Sequence, residues 1–225
     1  EEPAEFHRCA LASAKTFNPP RTPDGRPDFQ GFWVRIAARN QENIEEHPQG
    51  MDGSGGKSLI VDPPTGRIPY QPWAAMKAEN HFATYLNPAQ RCFPDAPPKQ
   101  AYSAGSRQIL QAPGYVLFLG DYAHTYRIVP TDARPHVAPP IHLFMGDSRG
   151  RWEGNTLVVD VTNQKDRVWL DHIGNFYSDG VHVVERWTMF HRDVIHYEAT
   201  IDDSRVYTRP WTMALGWRRD TQPGY

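Results

Sequence analysis

The sequence predicts one mainly β domain, in which antiparallel strands curl into a barrel behind an extended N-terminal arm, with one or two short helices. Aromatic residues make up 12% of the chain, which favours strands. Proline (21 residues) exceeds glycine (17), which indicates long irregular connections. From Arg107 onward, apolar runs follow one another with short turns between them, the pattern of an antiparallel meander. A length of 225 residues fits a single domain, 1–225.

The N-terminal third predicts few regular elements. Residues 1–30 form the arm: a short helix from Glu5 to Lys15, followed by the proline-rich stretch FNPPRTPDGRPDF. The barrel, 31–217, begins with the strand GFWVRIA. The polar, Gly-rich stretch 39–58 predicts a long loop, and WAAMKAENHFATYL (73–86) predicts a helix from its loose apolar stripe.

About seven strands are predicted in the C-terminal half, with a second long loop at 164–180. They are RQIL, YVLFLGD, HTYRIVP, NTLVVDVTN, VHVVERWTMF, VIHYEATID and RVYTRPWTMALGW. Successive side chains of a strand point to opposite faces, so Leu157, Val159 and Val161 share one face. In the strand VHVVERWTMF the corresponding apolar face carries Glu185, the one carboxylate on the apolar faces of three neighbouring strands.

The stretch GDSRGRWEGNTLVVDVTN, 146–163, is the most patterned in the chain. Its segment from Trp152 to Asn163 predicts a hairpin arm, because Gly154-Asn155 supplies turn conformations and the strand that follows alternates like a barrel wall. We expect Asp147, Arg149 and Glu153 to tie the preceding loop together, which favours a structural role over a catalytic one.

Charge and cysteine content exclude some classes of protein. The net charge of −2 and pI of about 6.6 give no basic surface for nucleic acid, and no apolar run is long enough to span a membrane. No signal peptide is visible, but the chain starts at Glu1, so we expect an exported protein, periplasmic or secreted, from which a signal has been removed. Cys9 and Cys92 are predicted either to form one disulfide that pins the arm or to remain two free thiols.

Several motifs together resemble a large, uncharacterised bacterial family whose members are often exported. In this chain they read RTPDGRPDFQGFW, DPPTGRIP, DYAHTYRIVPTDARPH, GDSRGRWEGNTLVVDVTN, VHVVERW and YTRPWT. Members of the family typically read RTPDGxPDLxGxW, GDSRGxWEGDTLVVDTTNF, LHVVERF and TRPWT. The likeness implies architecture more than activity. The chain departs from the family pattern at Ala133 and Gln164, where Gly and Phe are usual. Its segment 165–180 has no counterpart in that pattern, so the resemblance does not imply a substrate shared with the family.

The pair Gly31-x-Trp33 resembles the opening of lipocalin-like (calycin) barrels, in which an Arg from a late strand crosses the Trp ring. This resemblance implies a lipocalin-like antiparallel barrel. We expect Arg209, between Tyr207 and Trp211, to supply the cation–π contact with Trp33.

Glu185 is the first candidate for chemistry. A carboxyl group among Val183, Trp187 and Tyr197 would be desolvated, which disfavours its charged form and suits a group that exchanges protons near neutral pH. The alternative is a structural ion pair of Glu185 with Arg209 or Arg186.

Asp121 and His124 are the second candidate, because a carboxylate can orient an imidazole and strengthen it as a base. Arg127 and Tyr126 would then polarise a substrate oxygen, although a network that only satisfies the hairpin remains the alternative. His136 lies in a proline-stiffened loop that we expect to cover the barrel mouth.

These residues predict a cofactor-independent enzyme that transfers protons on a small, largely apolar or aromatic molecule, of the lyase, isomerase, cyclase or hydratase type. Asp121, His124 and Glu185 would be catalytic, and Tyr126, Arg127, His136, Trp187 and Tyr197 would bind the substrate. Alternatives are a carrier of a hydrophobic ligand, a metal-dependent hydrolase, and a partner-binding protein with a packed interior. For metal, His191-x4-His196 spans a turn without an obvious third ligand, so no metal site is predicted. The oligomeric state stays open.

Overall fold

Nine antiparallel strands form one continuous, nearly closed barrel in the computed structural model, which describes residues 3–36, 43–48 and 55–221. The spatial order is β5-β4-β3-β1-β10-β9-β8-β7-β6, and the short strand β2 pairs with β10 beside this path. The strands are β1 (Gly31–Arg35), β2 (Ile60–Asp62), β3 (Arg107–Ala112), β4 (Tyr115–Gly120), β5 (Tyr126–Pro130), β6 (Asp147–Glu153), β7 (Thr156–Thr162), β8 (His182–His191), β9 (Val194–Asp202) and β10 (Trp211–Arg219). The mainly β, lipocalin-like barrel predicted from the sequence is therefore confirmed.

Two α-helices accompany the barrel in the described chain. The helix α1 (Pro3–Ala14) lies on the outer face of β8, β9 and β10, and α2 (Pro72–Thr84) begins with Pro72, which suits the first turn of a helix. None of the helices in the described ranges has the length and apolarity that crossing a membrane requires.

The predicted hairpin arm at Trp152 to Asn163 is present, as β6 and β7 joined by a turn at Gly154-Asn155. The preceding charged segment, 147–153, is a strand and not the expected loop. It is the last strand of the path and carries exposed charges at Arg151 and Glu153, which is typical of an edge strand.

The predicted loops pack more tightly than expected. In the 164–180 segment, Leu170 and Tyr177 are fully buried, and Trp169 stacks on His81 of α2 at 5.4 Å between ring centroids. Of the predicted 39–58 loop, residues 39–42 and 49–54 lie outside the described residues, while Ile44 is buried.

The lipocalin-like contact is made by a different arginine from the one predicted. The guanidinium of Arg219 lies over the Trp33 ring at 4.3 Å from the centroid and donates to the Gln30 carbonyl at 2.7 Å. Arg209 instead pairs with Asp62 at 2.5 Å, because it precedes β10 and Arg219 is the residue in register with Trp33.

Cys9 and Cys92 are two free, exposed thiols, so the disulfide is a wrong prediction. Packing holds α1 instead: Phe6 contacts Phe190 edge-on at 5.7 Å between centroids. A Cβ atom at Gly216 would lie 2.6 Å from the Phe6 ring, so a glycine is needed for this close approach.

Candidate functional site

Glu185 lies inside the barrel, as its position in the period-two pattern predicts, and is 1% exposed. Its carboxylate accepts two hydrogen bonds, from Arg127 Nη2 at 2.5 Å and from the Tyr197 hydroxyl at 2.8 Å. The acid is therefore not isolated, and its ion-pair partner is neither Arg186 nor Arg209. Arg186 faces the outside, where it pairs with Glu153 at 3.0 Å.

Arg127 reaches Glu185 across the place where the barrel nearly closes. It is 6% exposed on β5, and its Nε donates to Ser148 Oγ on β6 at 2.9 Å. A buried guanidinium is tolerated because both of these contacts compensate for the water it has lost. Arg127, Ser148 and Glu185 thus form a polar bridge from β5 to β6 and β8.

A small cavity of about 10 Å³ lies beside this bridge. That is room for about one water molecule. Its lining residues come from β3, β4, β5, β8, β10 and the 3₁₀ turn Lys99–Ala101: Gln100, Ala101, Arg107, Phe118, Arg127, Glu185, Trp187 and Trp217. Trp187 packs against Tyr197, Phe118 and Trp217, with ring centroids 4.5, 4.9 and 5.6 Å apart.

Three residues of this lining carry a donor that has no acceptor among the described residues: Trp187 at Nε1, Trp217 at Nε1 and Gln100 at Nε2. All three are buried, and an unmade bond at a buried polar group costs about 1–3 kcal/mol. Buried donors rarely remain unpaired, so each needs an explanation. Together the three unpaired donors indicate that a ligand or water molecule with an acceptor oxygen occupies the cavity.

Tyr197 completes the polar group around the carboxylate. Burial raises the pKa of the Tyr197 hydroxyl well above its usual value, and the negative charge of Glu185 raises it further. The phenol therefore stays protonated at neutral pH and remains a donor.

The structure does not bring Asp121 and His124 together. Both are exposed in the turn between β4 and β5, and the bond that links them is from the backbone N–H of His124 to the Asp121 carbonyl at 3.2 Å. Ala123 and His124 have positive φ angles of 56° and 48°, so the turn is not the regular one that the spacing assumed. No hydrogen bond between these two side chains occurs in the described structure.

Tyr126 is also outside the barrel, since it is 66% exposed and occupies the position next to inward-facing Arg127 on β5. Its predicted contact with a substrate in the interior is therefore not supported by the geometry. Trp187 and Tyr197, by contrast, lie beside Glu185 as the sequence analysis expected. Arg127, which was expected to act with Asp121 and His124, contacts Glu185 instead.

His136 does not cover the barrel mouth but belongs to a network on the outer face of β6–β8. Its two ring nitrogens lie 2.8 Å from Asp147 Oδ2 and 2.9 Å from Asp160 Oδ1. His182 Nε2 contacts the other oxygen of Asp160 at 2.9 Å. This hydrogen bond lowers the pKa of Asp160 and raises that of His182. The arrangement ties the 131–141 segment to the barrel wall.

The sequence analysis did not identify Gln100, Ala101, Arg107, Phe118, Ser148 or Trp217 as residues of the site. Trp217 carried a signal, because Trp211, Met213, Leu215 and Trp217 alternate along β10. Ser148 lay in the segment that was interpreted as a loop. Gln100 carried no signal, since it comes from an irregular stretch that only the tertiary fold brings over the barrel.

No protein-family model and no curated protein matches this chain. The resemblance to the bacterial family with shared motifs therefore stays a prediction, as do export and the type of reaction.

Proposed function

We propose that this protein is a cofactor-independent enzyme that transfers protons on a small molecule bound in the barrel interior. Its substrate has an apolar or aromatic body and an oxygen that accepts hydrogen bonds, such as a ketone or carboxylate. The observation that carries the proposal is the set of unpaired indole and amide donors beside the buried Glu185–Arg127 pair.

Glu185 serves as the proton-transferring group in this proposal. Arg127 compensates for its negative charge at one oxygen, and the Tyr197 hydroxyl contacts the other. The carboxylate takes a proton from a C–H beside the substrate's carbonyl, and the electron pair of that bond moves to the carbonyl oxygen. If a C=C bond adjoins that carbon, the enolate is conjugated with it, and return of the proton to the far carbon of this bond gives an isomerase. If the β-carbon carries a leaving group, the electron pair returns from the oxygen to form a C=C bond, the group departs with its bonding electrons, and the reaction is that of a lyase. Proton transfer by one positioned group contributes roughly 10²–10⁴-fold.

Trp187 and Trp217 would bind the oxygen on which negative charge develops. Their N–H groups are fixed by aromatic packing, and fixed donors stabilise a developing oxyanion without reorganisation. Phe118 and the indole rings supply the apolar walls for the rest of the substrate.

Substrate entry requires a change in the closing turn Lys99–Ala101. A cavity of about 10 Å³ holds water, whereas sites for larger ligands need about 300–1,000 Å³. Lys99 is buried and pairs with Asp95 at 2.9 Å, and this ion pair holds the turn beside the cavity. The proposal therefore includes displacement of the turn on binding.

The alternatives fit this cavity less well. A carrier of a hydrophobic ligand needs apolar walls, and a buried ion pair with unpaired donors would only lower its stability. A metal-dependent hydrolase would need ligands for a cation, whereas Glu185 is already paired with a guanidinium and surrounded by donors.

Hydrogen–deuterium exchange in D₂O tests the proposal without knowledge of the full reaction. A panel of small aryl ketones, aliphatic ketones and carboxylic acids is incubated with the protein, and NMR follows loss of the α-proton signal. We expect catalysed exchange for at least one class, reduced about 100-fold or more in Glu185→Gln and measurably in Tyr197→Phe. The control Glu153→Gln, at an exposed glutamate, should retain it. Absence of exchange across the panel, or full exchange in Glu185→Gln, would overturn the proposal.

A further inference from the structure

A second cluster of chemically active side chains lies outside the barrel, between α1 and the outer face of β9. His7 of α1 places Nδ1 3.0 Å from Nε2 of His196 and 3.7 Å from Oε2 of Glu198. His196 and Glu198 alternate with the inward-facing Tyr197, so both belong to the outer face of β9. All three ligand atoms lie within 4.8 Å of one another.

We propose that His7, His196 and Glu198 bind a divalent transition-metal ion of the zinc class, which joins α1 to the barrel. Two imidazoles and one carboxylate are a ligand set that zinc accepts, with a fourth position left for water. The proposal is independent of the reaction proposed for the barrel interior, because it involves the opposite face of the sheet.

The distances suit such an ion. With metal–ligand bonds of about 2.0–2.2 Å in tetrahedral geometry, neighbouring ligand atoms lie about 3.3–3.6 Å apart. The observed separations of 3.0 and 3.7 Å fall on either side of that range. The third separation, between His196 and Glu198, is at most 4.8 Å, so side-chain shifts of up to about 1 Å would complete the site.

The surroundings shelter the site, and two of its three ligands are partly exposed. His196 is 1% exposed and its ring lies 5.9 Å from the Phe6 ring, whereas His7 and Glu198 side chains are 20% and 16% exposed. Arg186 Nε lies 3.5 Å from Glu198 Oε1, so it contacts the carboxylate at the oxygen that does not face His7. His196 Nδ1 has no partner among the described residues, so the tautomer of this ring depends on its contact with His7.

The ligands differ from the histidine pair that the sequence analysis considered. His191 is exposed and its Nδ1 accepts from the Asp193 backbone N–H at 3.2 Å. Its Nδ1 is therefore already engaged at the hairpin end. In the proposed site His7, from the first helix, replaces His191 beside His196, and Glu198 is the third ligand. His191 provides a matched control for nonspecific binding by surface imidazole.

Calorimetric titration with ZnCl₂, together with the visible absorption spectrum of the Co²⁺-loaded protein, tests the proposal. We expect one ion per chain, and a Co²⁺ spectrum typical of four-coordinate nitrogen and oxygen ligation. His7→Ala and Glu198→Gln should each weaken Zn²⁺ binding at least about 10-fold, since even changes outside the ligand set cost 10–100-fold. His191→Ala should bind like the wild type.

Circular dichroism would verify that the variants fold, which the partly exposed positions of His7 and Glu198 favour. Absence of binding at one ion per chain would mean that His7 and His196 share only a hydrogen bond. Equal affinity in His7→Ala and wild type would place the ion elsewhere. Either result would overturn the proposed site.

Discussion

Replacement of Arg127 by methionine would leave the Glu185 carboxylate buried without its counter-charge. The pair is 5% and 1% exposed, and the variant also removes the bond from Arg127 to Ser148. Breaking a buried pair in this way costs about 3–5 kcal/mol. At about 2–4 °C per kcal/mol for a domain of this size, the melting temperature should fall by roughly 6–20 °C, with a decrease in the urea midpoint of ~1–2 M.

Two further variants identify the cause of this loss. Arg209→Met breaks an ion pair with Asp62 in which both side chains are about half exposed, and should cost less than about 1 kcal/mol. Arg127→Met/Glu185→Gln leaves no unpaired charge and keeps an oxygen that accepts from Tyr197, so it should regain at least half of the lost stability. Urea unfolding measures all three. Equal, small losses for Arg127→Met and Arg209→Met would refute a buried pair as described.

Three other predictions concern stability. Burial raises the pKa of Asp171 from 3.8 to about 6. Its contribution to stability is therefore complete below pH 3.8 and is lost as the pH rises from there through 6, so the urea midpoint should fall between about pH 4 and 6, and less steeply in Asp171→Asn. Gly146→Ala should lower the free energy of unfolding, measured in urea, more than Gly154→Ala does. Both glycines have a positive φ, but only at Gly146 would the new Cβ contact other atoms, Gln164 Cγ at 2.5 Å and Thr162 O at 2.8 Å. Equal losses in the two variants would contradict this crowding. The native chain should present two reactive thiols to a thiol reagent, and dithiothreitol should leave the melting temperature unchanged; a drop would reveal a disulfide.

The inward position of Glu185 could be predicted because side-chain alternation is a local property of a strand. The partner of Glu185 could not be predicted, because Arg127 is 58 residues away in the sequence and reaches Glu185 only when β5 approaches β6. The same limit applies to Gln100, which an irregular segment carries over the barrel. The pattern along one strand determines which face of the sheet a residue lies on, but its contacts across the barrel depend on how the sheet closes into a barrel.

The predicted pair of Asp121 and His124 failed for a different reason. Spacing of three residues brings side chains together in a regular turn, whereas Ala123 and His124 here take left-handed conformations. His196 shows a related effect. Alternation along β9 gives its face, but α1 covers that face, and the amphipathic pattern of a helix does not reveal where the helix docks.

The most direct measurement of the central claim is an NMR titration of protein labelled with ¹⁵N-tryptophan, using benzoate as the probe. The chain has seven tryptophans, whose indole N–H signals can be assigned by Trp→Phe variants. The account predicts saturable shifts of the Trp187 and Trp217 signals as acceptor oxygen enters the cavity, with the half-exposed Trp73 unchanged. Signals of Trp187 and Trp217 that stay fixed throughout the titration would contradict a binding site beside Glu185.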